Sequence, residues 1–135
     1  MKFNQLSRSL RAALIGAALQ CGPTAALADI NNYEFKLVEP TVKTGPDKVI
    51  AVKLVNKTTG KPVANAVIFA TRLDMAPDGM QEMATKLTPV SGTEPGTYSF
   101  KANFSMAGRW QLSLGAKVQG EIGTVESKLV IQADK

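Results

Sequence analysis

The sequence predicts an all-β chain, a sandwich of about seven short antiparallel strands behind a cleavable leader. Three observations predict it. Apolar and polar residues alternate at period two, and helical periodicity is weak. Clusters of Gly, Pro, Asn and Asp interrupt the chain at short intervals. Residues 1–28 have the composition of an export signal and stand apart from the rest.

The leader comes first in the chain. Lys2, Arg8 and Arg11 form a positive segment without an acidic residue. An apolar stretch follows from Ala12 to Leu19, too short for a membrane span and broken by Gly22 and Pro23. Ala26-Leu27-Ala28 is a small-x-small cleavage site, which makes residues 29–135 the mature domain, without a stable membrane anchor. A lipoprotein reading through Cys21 is disfavoured because bulky Gln20 precedes the cysteine.

Cleavage narrows the chemistry. Cys21 is the sole cysteine and histidine is absent, so residues 29–135 contain neither. A Cys/His zinc site is excluded, as are Ser-His-Asp and Cys-His nucleophilic sites, and the chain is expected not to be an enzyme. The formal net charge of +5 falls to +2 once the three basic residues of the leader are removed. That removes the main support for a nucleic-acid role.

The mature chain reads as strands in order. Tyr33–Val38, Lys48–Asn56, Ala66–Leu73 and Ala84–Val90 come first. Thr97–Phe104 alternates without a break: Tyr98, Phe100, Ala102 and Phe104 share one face. Arg109–Val118 repeats the pattern with Trp110, Leu112, Leu114, Ala116 and Val118, and Thr124–Gln132 closes the series. Turn residues separate them at Thr44–Asp47, Thr59–Pro62, Ala76–Gly79, Ser91–Gly96 and Gln119–Gly120. About seven strands at this spacing point to an immunoglobulin-like β-sandwich. Trp110 lies on the sixth strand and no disulfide is available, so the antibody-type core is not expected.

Against this frame four methionines are conspicuous. Met75, Met80 and Met83 fall in the connection between the third and fourth strands, and Met106 between the fifth and sixth. Odd-numbered connections of an up-and-down sandwich share one end, so the two groups are expected to be neighbours, joined there by the Lys43–Lys48 connection. Neutral, polarisable thioethers suit a soft ion such as Cu(I), need no deprotonation, and cannot be lost to disulfides in an oxidising compartment. Asp74, Asp78 and Glu82 are available as supporting oxygen ligands, and Trp110 as a further supporting neighbour. Two blander readings stand beside this one: a small satellite core closing the end of the sandwich, with Met106 capping Phe104 and Trp110, and an adaptable apolar patch for a protein partner. The acids match no Ca²⁺-loop pattern and are expected on the surface. Trp110 starts a perfectly alternating strand and is expected in the core.

Two segments extend the reading. Thr59-Gly-Lys-Pro-Val-Ala-Asn-Ala66 precedes a β run, and Pro95-Gly-Thr-Tyr98 is followed by Phe104-Ser-Met-Ala-Gly-Arg-Trp110. Together they resemble YtkA-like and FixH-like extracytoplasmic domains, from about Val49 to Ile131. The resemblance implies an immunoglobulin-like periplasmic domain, found free or associated with copper and heavy-metal systems. Met75, Met80 and Met83 occupy the loop where many members carry methionines, and Met106 matches the methionine of the family's most specific segment. The missing histidines depart from some relatives and favour Cu(I) over Cu(II) or zinc. FixH-like proteins keep a membrane anchor, whereas this leader reads as cleavable. The expectation is therefore a periplasmic Cu(I) binder serving a metal-efflux or oxidase-assembly partner. The alternative is a non-metal interaction module that docks on a membrane-bound partner through the same loops.

Overall fold

The computed structural model describes residues 30–91 and 93–135; the expected leader lies outside them. Among the described residues nine strands form: β1 Tyr33–Leu37, β2 Thr41–Lys43, β3 Gly45–Asn56, β4 Ala66–Met75, β5 Met80–Thr85, β6 Thr88–Val90, β7 Thr97–Phe104, β8 Gly108–Val118 and β9 Val125–Asp134. They build two sheets, ordered β1-β3-β7-β6 and β2-β9-β8-β4-β5. This is the immunoglobulin arrangement, with β5 in the place of the extra strand beside the central three of variable-type domains. All pairings are antiparallel except that of β2 with β9.

The period-two faces explain the packing. Trp110, Leu112, Leu114, Ala116 and Val118 of β8 all point inward and are buried, as do Phe100, Ala102 and Phe104 of β7. Each β-strand places alternate side chains on opposite faces, so one apolar set per strand supplies the whole core between the sheets. Phe104 and Trp110 meet edge to face at 5.5 Å between ring centroids, joining the two sheets near the β7–β8 turn.

Two strands more than expected have separate causes. β2 is a three-residue piece that leaves β1 to pair with the opposite sheet. The strand expected over Ala84–Val90 is two strands, β5 and β6, which lie in different sheets and are separated only by Lys86 and Leu87. Pro89 cannot donate a ladder hydrogen bond, and β6 is accordingly a short edge strand. Because β5 and β6 run on in one direction across the change of sheet, the number of chain reversals is unchanged. The expected neighbourhood of the β4–β5 and β7–β8 connections survives for that reason.

Candidate metal site at one end of the sandwich

The methionines occupy the expected end but not the expected kind of segment. Met75 is the last residue of β4 and is fully buried. Met80 opens β5 directly opposite it in register, and Met83 follows on the same strand; both are half-buried and packed on the core. Only Met106 lies in a loop, and its side chain is 40% exposed. The short tract from Met75 to Met83 is therefore a hairpin whose thioethers turn inward, rather than a wet loop. Period-two reading missed this because the β4–β5 register is irregular: Asp74 pairs with Ala84 while Met75 pairs with Met80.

The hairpin tip is a 3-10 turn, Ala76–Asp78, ended by Gly79 in the left-handed conformation. The tip is fixed by two arginine–aspartate clamps. Asp74 is buried; its Oδ2 accepts from Arg72 Nε at 2.6 Å and its Oδ1 from the Ala76 amide at 3.0 Å. The same arginine donates from Nη2 to the Gln81 carbonyl at 2.8 Å, tying β4 to β5. On the other side Asp78 accepts from the Arg109 amide through Oδ2 and from Arg109 Nε through Oδ1, both at 2.8 Å. Arg109 Nη2 also donates to the Pro77 carbonyl. Both oxygens of both carboxylates are thus occupied. Glu82, the third candidate acid, is exposed.

The second clamp joins the two methionine segments. Gly108, the residue before Arg109, sits at φ +143° against the hairpin tip. A Cβ there would fall 2.5 Å from Met75 Cε and 2.7 Å from Asp78 Oδ2. Met75 is thereby in close approach to the loop that carries Met106, across 31 residues of sequence. Trp110, 1% exposed, secures that loop from below by donating Nε1 to the Met106 carbonyl at 3.2 Å. Gly45 pairs with Phe104 and the Thr44 amide donates to the Asp134 carbonyl, so the β2–β3 connection lies at this end as expected.

Gly108→Ala is expected to cost about 1–3 kcal/mol, because it adds both backbone strain and a clash inside the Met75–Asp78 contact. Denaturant unfolding checks this; an unchanged midpoint would show that the approach is not tight. Asp78 carries a second prediction. Hydrogen bonds from the Arg109 amide, then from its guanidinium, hold the carboxyl below its ordinary value. A depressed folded-state pKa contributes stability above the unfolded value and loses it as pH falls through the folded one. Asp78→Asn should therefore lower Tm at neutral pH, with the gap closing as the solution is acidified below the usual aspartate range. A gap that persists at the acid limit would contradict this.

Sequence reasoning missed both clamps. Arg72 and Asp74 could have been paired, since residues two apart share a strand face. No local signal links Asp78 with Arg109. Among the described residues no group of three or more His, Cys, Asp or Glu converges on one point. Any metal site at this end must rest on the thioethers.

A family model for YtkA-like domains matches residues 27–115. The chain belongs to the YtkA-like family. The match begins upstream of Val49, where the sequence resemblance starts, and runs to Gly115 inside β8. It takes in all four methionines of this YtkA-like domain and both clamps. Among curated proteins no relative matches. Two solved structures match over most of the chain. The Lin-41 filamin domain is 17% identical, with 76% of this chain and 91% of that one covered and a TM-score of 0.42. The ZirS C-terminal domain is 12% identical, with 81% and 70% covered and a TM-score of 0.46.

Proposed function

We propose that this YtkA-like domain is an exported periplasmic protein that binds one soft monovalent ion, Cu(I), through Met75, Met80, Met83 and Met106. It buffers the ion or passes it to a metal-efflux or oxidase-assembly partner. The observation that carries the reading is the close approach of Met75 to Gly108, which brings two methionine segments together at one end of the sandwich. The domain offers no Cys or His beyond the leader, so thioether is its soft ligand. Because arginines occupy Asp74 and Asp78, the ligand set is neutral and favours a singly charged ion over a divalent one. In this reading the fully buried Met75 is the innermost ligand, and Met106, the most exposed of the four, is the outermost. Weak thioether bonds at an exposed rim permit exchange with another methionine site, and no catalysis is required.

The test uses Ag(I), which is stable where Cu(I) is oxidised. Binding near one equivalent is expected, and replacing Met75, Met80 and Met83 together by leucine should abolish it. The exposure of Met106 also favours a second reading, an apolar contact with a membrane-bound partner through the same loops. Leucine keeps size and hydrophobicity, so under that reading the same variant would bind its partner normally.

A further inference from the structure

We infer that the outer face of the β2-β9-β8-β4-β5 sheet is the seat of a two-fold homodimer, in which the walls of a trough across β4, β8 and β9 meet the same walls on a second copy of this chain. The trough has a volume of about 460 Å³. Its floor is Ser113 and Gly115, the small outward residues of β8, and its walls are Phe69 and Arg72 on β4 and Glu126 and Lys128 on β9. Phe69 is bulged out of register between Ile68 and Ala70 and leans over Gly115, where a Cβ would come within 3.3 Å of its Cζ. The ring nevertheless stays 57% exposed, with Val67 at 68% on the same face. An uncovered aromatic beside a glycine floor is the composition of an interface centre.

The charges select the occupant. Ala70, Gly115 and Glu126 lie in one cross-strand row, and Arg72, Ser113 and Lys128 in another. Between them runs the row Thr71, Leu114 and Ser127. A two-fold axis along that middle row, perpendicular to the strands, turns each outer row onto the other. Glu126 then meets Lys128 of the second copy, and Phe69 meets Arg72 of the second copy. Among the described residues neither Glu126 nor Lys128 has an ion-pair partner, and both are exposed. Arg72 is held in place by Asp74 and Gln81, so its guanidinium face is presented ready to stack on an aromatic ring. Arg72 is already paired with Asp74, so the trough's two unpaired charges are Glu126 and Lys128, which are opposite in sign and fit an isologous contact better than an acidic or a basic partner. The axis also points the two methionine ends in opposite directions, leaving both open.

Sedimentation velocity on the mature domain, from micromolar to millimolar, tests this. The expected result is a reversible dimer. Lys128→Glu should weaken it by about tenfold, since the interface carries each pair twice, and Phe69→Ser should weaken it further. The double variant Glu126→Lys with Lys128→Glu should recover wild-type affinity to within about threefold, because exchanging the charges restores the pair. A retained β-sheet circular dichroism spectrum and cooperative unfolding transition report that each variant is folded. A monomer at every concentration overturns the inference. So does a dimer indifferent to Lys128→Glu and Phe69→Ser, or a double variant as weak as the single one.

Discussion

Trp110→Ala is expected to cost about 3–5 kcal/mol, the largest stability loss of any single substitution considered for this domain. Trp110 is among the largest fully buried side chains, and its ring stands against Phe104 across the sandwich. Alanine would remove the ring, leave a cavity that the two sheets cannot close, and strip the Met106 carbonyl of its indole donor. A small domain has about 5–15 kcal/mol in total, so the variant should be near the threshold of folding at ordinary temperature. Trp110 is the only tryptophan, so unfolding must be followed by circular dichroism rather than indole fluorescence. Trp110→Phe separates the two contributions: most of the packing is kept while the hydrogen bond to the Met106 loop is lost. Its stability should lie between the wild type and the alanine variant. Equal stability of wild type and Trp110→Ala would mean that the core does not depend on this ring.

Replacing Met75, Met80 and Met83 together by leucine should leave the fold nearly intact and remove Ag(I) binding. Leucine and methionine have similar volume, and such exchanges usually cost under about 1.5 kcal/mol each. Met75 is the sensitive position, because it is fully buried and its terminal methyl lies against Gly108. The chemistry changes completely, since leucine offers no lone pair. The contrast between a retained unfolding transition and lost metal binding is what distinguishes ligands from packing. Binding that persists unchanged in the folded triple variant would remove the thioethers from the account.

Much of the fold was legible because period-two alternation is a direct readout of a half-buried strand. β7 and β8 were read almost to the residue, and their inward faces are the observed ones. The β5–β6 segment was legible as extended but not as divided. Alternation says which side chains face inward, and does not say in which sheet the backbone finds its partner. The site was legible in part. Chain-reversal parity placed the two methionine segments at one end, and that holds. It could not say that Met75 is core, because a methionine beside Pro and Asp resembles a loop residue until the Arg72–Asp74 clamp is seen. The Asp78–Arg109 pair was hidden for a simpler reason: its partners are 31 residues apart and nothing in either neighbourhood marks them.

The central claim is that thioethers from two distant segments hold one soft ion. Methyl NMR of the mature domain labelled at the methionine ε-carbons, titrated with Ag(I), tests it most directly. The signals of Met75, Met80, Met83 and Met106 should shift together and stop shifting near one equivalent. Methyl signals that stay in place through a full equivalent, or Met106 moving while the other three do not, would contradict it.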